Sequence, residues 1–338
     1  MKHVTIMDIA YELGISKSTV SRALDKNNHN VSKETKLKIL EVANRLGYKR
    51  NELAINFRTQ STRTIGIIVP ELVTPFYVNI IAHAQTLLDK LNYRVILAQS
   101  NENPSAEASN LRMMENYRVD GILISACHNK KNISLYNELI KKGIPLIFID
   151  RTINEMDVPK VRIDNYTKSF FMVEHLIRSG RKNIVHLAGP SYMQSALERK
   201  KAYIDALAKF HIPFRREYLV SSGLSMEEGE NSMKKFIQKD LPFDAVFCFT
   251  EMCALGAKNS LDKYQYSIPE EIAVCCISGT ILSQLVRPSI TTVEQPIKEM
   301  VEVAIKLLEE KIITPDIVNQ TIVLDAEMFL RDSTEIRL

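Results

Sequence analysis

Two patterns of apolar residues follow each other along the chain. In the first 47 residues, apolar side chains recur at helical spacing in three short segments: IMDIAYEL, KSTVSRAL, and a segment that begins at Ser32 and stops at Gly47. Thr5 and Asp8 stand where a capping box would begin the first helix, and Gly14 stands where the chain must turn with positive φ. The pattern predicts a three-helix module whose apolar contacts come from Ile6, Ile9, Ala10, Leu13, Val20, Ala23, Leu24, Leu37, Ile39, Leu40, Val42, Ala43 and Leu46.

From Thr64 onward, short apolar runs rich in isoleucine and valine alternate with amphipathic helical stretches. This alternation is typical of parallel strands joined by helices, and it occurs twice, before and after Asp150. The predicted fold is therefore α/β, with two doubly wound lobes. No linker rich in glycine, serine or proline separates them, so we expect several crossings between the lobes. The predicted strands lie in TIGIIVP, RVILAQS, DGILISA, IPLIFID, KVRID, NIVHLAG, EYLVSS, DAVFCF, IAVCCIS and ITTVEQ.

The charge is concentrated at the N-terminal end of the chain. Residues 1–60 contain eleven lysines and arginines against six acidic residues, which gives this segment a charge of +5. Because the whole chain carries +4, the other 278 residues carry −1. A basic head on a nearly neutral body indicates a polyanionic partner at one end.

The second helix of the head presents basic and hydroxyl side chains on its outer face. A helix, a glycine turn and a second helix form a helix-turn-helix, which places the start of the second helix in the major groove of DNA. Lysine and arginine donate to guanine O6 and N7, while serine and threonine reach base edges or phosphates. The outward residues are Lys17, Ser18, Thr19, Ser21 and Arg22, for which a merely solvated face is the alternative.

The stretch VTIMDIAYELGISKSTVSRALDKNNHNVSKETKLKILEVANRLGY resembles the DNA-binding head of the lactose-repressor (LacI/GalR) family of bacterial transcription factors. The resemblance continues in order through TIGIIVPELVTPFY, IFIDR, HLAGPSYMQSALERKKAY, FCFTEMCALGA, PSITTVEQP and the C-terminal strand FLRDST. It implies a helix-turn-helix head in residues 1–49, a hinge helix and linker in residues 50–63, and a two-lobed, doubly wound domain like the type I periplasmic binding proteins in residues 64–338.

The resemblance also implies which residues contact DNA. Lys17, Ser18 and Arg22 would read bases, whereas other head residues would hold phosphates. The hinge segment NELAINFR would enter the minor groove with Phe57 as an apolar wedge, where the family usually has leucine, and Arg50 replaces the usual proline. A role in packing against the lobes is the alternative for Phe57. The implied phosphate contacts are Thr5, Thr19, Ser21, Asn27, His29 and Ser32, and the implied hinge contacts are Asn51, Ala54, Phe57 and Arg58.

In this family a small molecule binds in the cleft between the lobes, at the carboxyl ends of the strands. Arg199 matches the family's effector arginine, although a surface charge beside Lys200 and Lys201 is the alternative. Ser278 stands where an aspartate is common, so we expect a sugar acid or sugar phosphate to be tolerated better than a neutral sugar. The implied effector-binding residues, each with a purely structural role as alternative, are Phe76, Tyr77, Ser125, Asp150, Ile163, Arg199, Leu224, Thr250, Glu251 and Ser278.

Catalytic and metal-binding motifs are missing from the sequence. It contains no Gly-x-Ser-x-Gly, GxGxxG, P-loop or HExxH motif, and its seven histidines are scattered, so we expect no catalytic residue, no metal and no cofactor. The five cysteines form no Cys-x-x-Cys pair and are expected to be buried free thiols. No apolar run reaches the roughly 18 residues of a spanning helix, and the start is too polar for a signal peptide. We therefore expect a cytoplasmic protein.

These observations predict a ligand-responsive, sequence-specific DNA-binding transcription regulator, a repressor of carbohydrate-use genes that acts as a homodimer on double-stranded operator DNA. A dimer is expected because one short helix contacts too few bases for useful specificity. Effector in the cleft would alter hinge-helix formation and thereby operator affinity. Two alternatives stay open at this point: a transcriptional activator of the same family, and a sugar-modifying enzyme with a DNA-binding head.

Overall fold

The computed structural model describes residues 4–24, 31–48 and 61–335. The chain divides into two compact units, residues 1–60 and residues 61–338. The described part of the first unit contains α1 (Ile6–Leu13), α2 (Lys17–Leu24) and α3 (Lys33–Arg45). These helices are the three that the apolar spacing predicts.

The helix ends follow local sequence chemistry. The backbone N–H of Thr5 donates to the Asp8 carboxylate at 2.7 Å, and the Thr5 hydroxyl accepts from the Asp8 backbone N–H at 3.4 Å, so the predicted capping box is confirmed. Gly14 ends α1 with a φ of 62°, as predicted, and the Ser32 hydroxyl caps α3 by accepting from the Thr35 N–H at 3.2 Å.

The apolar core of the first unit lies between the three helices. Its buried members are Ile9, Ala10, Val20, Ala23, Ile39, Val42 and Ala43. Two of the predicted contacts are wrong, because Leu37 is 68% exposed and Leu40 is 45% exposed. On α3 the buried stripe passes through Ile39, Val42 and Ala43, and this leaves Leu37 and Leu40 on the outer face.

The second unit contains two six-stranded sheets. The first lobe has the strand order β11-β5-β4-β3-β1-β2, and the second lobe has the order β12-β10-β9-β8-β6-β7. All described pairings are parallel except β10 with β12. The strands are β1 (Thr64–Val69), β2 (Arg94–Gln99), β3 (Gly121–Ile124), β4 (Leu146–Ile149), β5 (Lys160–Ile163), β6 (Ile184–Ala188), β7 (Leu219–Ser221), β8 (Ala245–Cys248), β9 (Ala273–Ile277), β10 (Thr291–Glu294), β11 (Thr321–Leu324) and β12 (Glu327–Phe329).

Helices cover the faces of both sheets, as parallel strands buried on both sides require. The longest, α12, packs against α4 and the strands of the first lobe, although it follows β10 of the second. The helices of this unit are α4 (Pro75–Lys90), α5 (Pro104–Asn116), α6 (Ile133–Lys141), α7 (Asn165–Arg178), α8 (Gln194–Lys209), α9 (Met226–Ile237), α10 (Glu251–Lys263), α11 (Ile281–Leu285) and α12 (Ile297–Ile313).

Within residues 61–335, the chain crosses between the lobes three times: after β5, after β10, and between β11 and β12. This confirms the expectation of several crossings. The apolar pattern missed the half-exposed strand β11 and the short helix α11. The segment FLRDST is not a strand as a whole, because only Phe329 belongs to β12 and residues 330–335 lie outside any strand.

All five cysteines are buried free thiols, as predicted. Within the described ranges, no helix combines the length and the apolar character needed to span a membrane.

Candidate functional site

The outer face of α2 combines positive charge with hydroxyl groups. Lys17, Ser18 and Arg22 are exposed, whereas Thr19 and Ser21 are half-buried. The Arg22 Nε donates to the Ser18 carbonyl at 3.2 Å, which holds the arginine along the helix surface. Because α2 contains no acidic residue, nothing within the helix neutralises the two cations. The arrangement suits contact with a polyanion.

Two of the predicted phosphate contacts are helix caps. Thr5 and Ser32 are exposed at the starts of α1 and α3, where free backbone N–H groups attract anions. The Thr5 hydroxyl also donates to the Asp8 carboxylate at 2.8 Å, so an acidic group stands beside this position. The predicted contacts Asn27, His29, Asn51, Ala54, Phe57 and Arg58 lie outside the described residues.

A second candidate site is the cleft between the lobes, where the carboxyl ends of strands from both sheets converge. Its cavity volume is about 90 Å³, and it opens to solvent. Of the predicted effector-binding residues, the described lining includes Phe76, Tyr77, Asp150, Arg199, Leu224, Thr250, Glu251 and Ser278. Other lining residues are Glu71, Thr74, Glu102, Arg151, Ser195, Phe249, Met252 and Thr280.

Arg199 lies on α8 and is only 3% exposed, so it is not a surface charge. Its Nε and Nη2 donate to the side-chain Oδ1 of Asn165 at 2.9 and 2.7 Å, and its Nη1 donates to the backbone carbonyl of Phe249 at 2.5 Å. A longer bond of 3.4 Å reaches the Ser278 hydroxyl, and the guanidinium lies 4.5 Å from the centre of the Phe249 ring. All these acceptors are neutral, and burial lowers the pKa of Arg199 to about 10.

Asp150 faces the cleft from the end of β4 in the first lobe. Its carboxylate accepts a hydrogen bond from the Tyr77 hydroxyl at 2.8 Å. Burial raises the pKa of Tyr77 well above its usual value, so this hydroxyl stays protonated and remains a donor. Ser125 contacts the Tyr77 hydroxyl at 3.2 Å and supports it from behind rather than lining the cleft.

Gln295 links the two lobes and was not predicted from the sequence. Its Nε2 donates to the Asp150 carboxylate at 3.2 Å and to the Ser278 hydroxyl at 2.8 Å. It belongs to the crossover between β10 and α12. The only signal in the sequence is its place in the segment ITTVEQ, and that segment gives no indication of its two partners.

Glu251 lines the cleft, but its carboxylate is fully used by the protein. It accepts from the Thr280 N–H at 2.7 Å, the Thr280 hydroxyl at 2.5 Å, the Ser283 N–H at 2.8 Å and the Ser283 hydroxyl. Thr250 caps α10 by accepting from the Cys253 N–H. Both residues therefore hold the edge of the cleft in shape. Ile163, 1% exposed, belongs to the apolar core and not to the lining.

An ion pair missed in the sequence closes one wall of the cleft. The Arg151 Nη1 donates to both carboxylate oxygens of Glu102, at 2.9 and 2.8 Å, and the guanidinium lies 5.7 Å from the Tyr77 ring centre. Arg151 follows Asp150 directly in the segment IFIDR, which was the available signal. Across the described ranges, no group of His, Cys, Asp and Glu side chains has the arrangement of a metal site.

Comparisons with known proteins agree with this architecture. Residues 5–51 match the model of bacterial regulatory proteins of the lacI family, and residues 62–314 match the model of periplasmic binding proteins and the sugar binding domain of the LacI family. Catabolite control protein A of Priestia megaterium is 31% identical over 336 residues, which cover 98% of this chain and all of the relative. The NTD biosynthesis operon regulator NtdR of Bacillus subtilis (strain 168) is 30% identical, and the match covers 98% of this chain and 99% of the relative.

Among solved structures, the lac repressor dimer bound to operator and the anti-inducer ONPF has the same fold. The TM-score is 0.84, with 20% identity, and the match covers 98% of this chain and 99% of the other. The two family models together cover most of the chain, and the full-length relatives are at least 30% identical. The helical head and the two-lobed unit therefore both match the same protein family. The chain belongs to the LacI family of bacterial transcription regulators and is a ligand-responsive regulator of that kind.

Proposed function

We propose that this regulator is a non-catalytic repressor of carbohydrate-use genes, and that a neutral sugar in the interlobe cleft is its effector. The observation that carries the proposal is Arg199. Four hydrogen bonds use four of its five N–H groups, which leaves one N–H on Nη1 without an acceptor among the described residues. A hydroxyl oxygen of a sugar can accept from it, while the Phe249 ring supports the apolar face of the site.

The charges of the cleft favour a neutral sugar over the sugar acid or sugar phosphate that Ser278 alone suggests. Four carboxylates line the cleft against the two guanidiniums of Arg151 and Arg199; they belong to Glu71, Glu102, Asp150 and Glu251. An anionic ligand would add to this excess of negative charge. A polyol can instead donate to Asp150 and accept from Arg199, so it satisfies both groups without adding charge.

For DNA binding, we propose that some residues read bases and others hold the phosphate backbone. In this proposal, Lys17, Ser18 and Arg22 read bases in the major groove, and Thr5, Thr19, Ser21, Asn27, His29 and Ser32 hold phosphates. Asn51, Ala54, Phe57 and Arg58 form a hinge contact in the minor groove. Residues 1–49, 50–63 and 64–338 are then head, hinge and effector domain. Two copies bind a near-palindromic operator as a homodimer.

A gel-shift titration tests whether the protein recognises a specific DNA sequence. The wild type should bind DNA from the region upstream of its own gene more tightly than random DNA of the same length. Arg22→Ala should lose about 1 to 3 kcal/mol of that preference. Arg45→Ala is the matched control, since Arg45 is exposed on α3 and pairs with Glu12 at 2.6 Å. Equal loss of preference in both variants, or no preference in the wild type, would contradict the proposal.

Calorimetry tests the effector class. We expect wild-type protein to bind a member of a panel of neutral sugars, for example ribose, glucose and cellobiose. The matching 6-phosphate or uronic acid of the sugar that binds should bind at least tenfold more weakly. Binding of the charged analogues alone would overturn the neutral-sugar proposal and would favour an anionic effector, as expected from the serine at position 278.

A further inference from the structure

Gln295 stands where the two lobes and the candidate effector groups meet. It lies in the crossover that leaves β10 of the second lobe and enters α12, which packs on the first lobe. Its Nε2 is bonded at the same time to Asp150 of the first lobe and Ser278 of the second. Since Ser278 also contacts Arg199, one hydrogen-bonded chain runs from the Tyr77 hydroxyl to the Arg199 guanidinium.

The two residues that Gln295 joins hold equivalent places in their lobes. Asp150 follows β4 and Ser278 follows β9, and each of these strands is third in the order of its sheet. Both residues have a φ of 63°, a left-handed conformation that costs non-glycine residues free energy. The two lobes thus use the same backbone turn to present a polar side chain toward the crossover.

Gln295 is itself 7% exposed, and its Oε1 is buried without a hydrogen-bond partner in the described part of the chain. The two acceptors at Nε2 fix which end of the amide is the donor, so the orphan atom is an acceptor. A buried acceptor without a partner costs free energy, and opening the lobes would hydrate it. The closed arrangement is therefore held by the Nε2 bonds and opposed by Oε1.

We propose that Gln295 is a positioning residue for effector binding, which couples lobe closure to the assembly of the binding groups. Asp150 lies in the first lobe and Arg199 in the second, so they face each other across the cleft only when the lobes close. The Gln295 hydrogen bonds stabilise that closed arrangement. Its role in closure stands on the hydrogen bonds above, and its role toward the effector rests on the proposed function. The Nε2 end of its amide joins the two lobes by hydrogen bonds. The unpaired Oε1 end destabilises the closed state, so the lobes can open again.

The first test measures closure without any ligand. Spin labels are placed on cysteines introduced at Lys141 in the first lobe and Lys235 in the second, both of which are exposed. The native cysteines are buried and should not react. Labelled full-length chain is diluted with unlabelled chain, so that distances within one protomer dominate. Gln295→Met should shift the equilibrium about tenfold toward the longer, open distance. Gln238→Met, at an exposed position on the second lobe, should leave the distribution unchanged.

A side-chain swap separates coupling from a general loss of packing. In the double variant Asp150→Asn with Gln295→Glu, the new asparagine N–H₂ can donate to the new carboxylate, and the asparagine carbonyl can still accept from Tyr77. The swap restores the link with its direction reversed and with the same net charge. We expect each single substitution to open the lobes and the swap to return most of the closed population. If the open-to-closed ratio of the double variant equals the product of the two single-variant effects, the substitutions act independently and the proposal is overturned.

Calorimetric titration of the same proteins with ribose, glucose and cellobiose adds the effector. Gln295→Met should weaken binding of the sugar that binds the wild type by about tenfold. The swap should also bind more weakly than the wild type, because it removes the Asp150 carboxylate that faces the sugar. Unchanged affinity in Gln295→Met would overturn the effector role of Gln295. If Gln295→Met opens the lobes while the wild type binds no sugar of the panel, the link between the lobes is supported and the neutral-sugar proposal fails. The two ideas can therefore fail separately.

Discussion

His186 gives the second lobe a defined sensitivity to acid. It lies in β6, is fully buried, and stacks on Phe247 with ring centres 4.6 Å apart. Its Nδ1 donates to the Phe247 carbonyl at 3.0 Å, while its Nε2 has no partner among the described residues. Protonation would place a charge and an unsatisfied N–H in an apolar core. Burial accordingly lowers the pKa of His186 to about 4.

The sign and size of the effect follow from linkage. The pKa of His186 falls from 6.5 in the unfolded chain to about 4 in the folded protein, so between these values only the unfolded state takes up the proton. Stability is therefore highest above pH 6.5 and falls as the pH drops toward 4. The loss is ~1.4 kcal/mol for each pH unit in that window, or about 2 kcal/mol between pH 7 and pH 5.

Urea unfolding of the full chain at pH 7 and pH 5 measures this loss. The unfolding is followed by far-ultraviolet circular dichroism because the chain contains no tryptophan to serve as a fluorescent probe. His186→Phe keeps a ring in the stack, and the drop between the two pH values should shrink by about 2 kcal/mol relative to wild type. His83→Phe is the control, because His83 is exposed on α4 and should leave the drop unchanged. An equal drop in wild type and His186→Phe would refute the reasoning.

Three further predictions concern the second unit. Arg199→Lys cannot reproduce the two bonds to Asn165, so calorimetry should show sugar binding weakened about 10- to 100-fold, while gel shifts without sugar stay within twofold of wild type. Glu251→Gln replaces a charged acceptor of four hydrogen bonds and should cost about 2 kcal/mol in urea unfolding; a neutral result would mean the carboxylate is dispensable. Gly256→Ala would force a Cβ against the Met226 carbonyl where α9 and α10 touch, and should lower the free energy of unfolding by about 3 kcal/mol, whereas unchanged stability would show that the helices can separate freely.

The helices and central strands could be predicted because their signals are local. The Thr5 and Asp8 capping box and the turn at Gly14 depend on neighbouring residues only. The buried strands are continuous apolar runs, and this pattern holds wherever the sheet lies in the molecule. Leu37 and Leu40 were misassigned because apolar character alone does not show which face of α3 meets the other helices. The strand β11 was missed because its residues are half-exposed and its partner β5 is more than 150 residues away.

The cleft could be predicted in part for a topological reason. The family resemblance implied that Asp150 and Ser278 lie near the ligand, and the physical reason is that residues following parallel strands converge at one edge of each sheet. The direction of a side chain and the partner it finds across the lobes have no such local signal. Gln295 acquires its role only when the crossover brings Asp150 and Ser278 within reach of one amide.

Each lobe uses a buried carboxylate to fix a loop that follows one of its strands, and this affects how any loss of effector response should be interpreted. In the first lobe, Glu107 is fully buried and accepts from the Cys127 N–H at 2.8 Å and from the Asn132 side chain at 2.9 Å. In the second, Glu251 holds Thr280 and its neighbours in the same manner. Replacing either carboxylate should loosen the cleft and weaken every ligand to a similar degree, because the whole loop moves. Replacing a group that touches the ligand should instead weaken ligands unequally, according to which hydroxyl each one carries. Comparing a sugar with its deoxy derivatives across the variants therefore separates Arg199 from Glu251, although both line the same cleft.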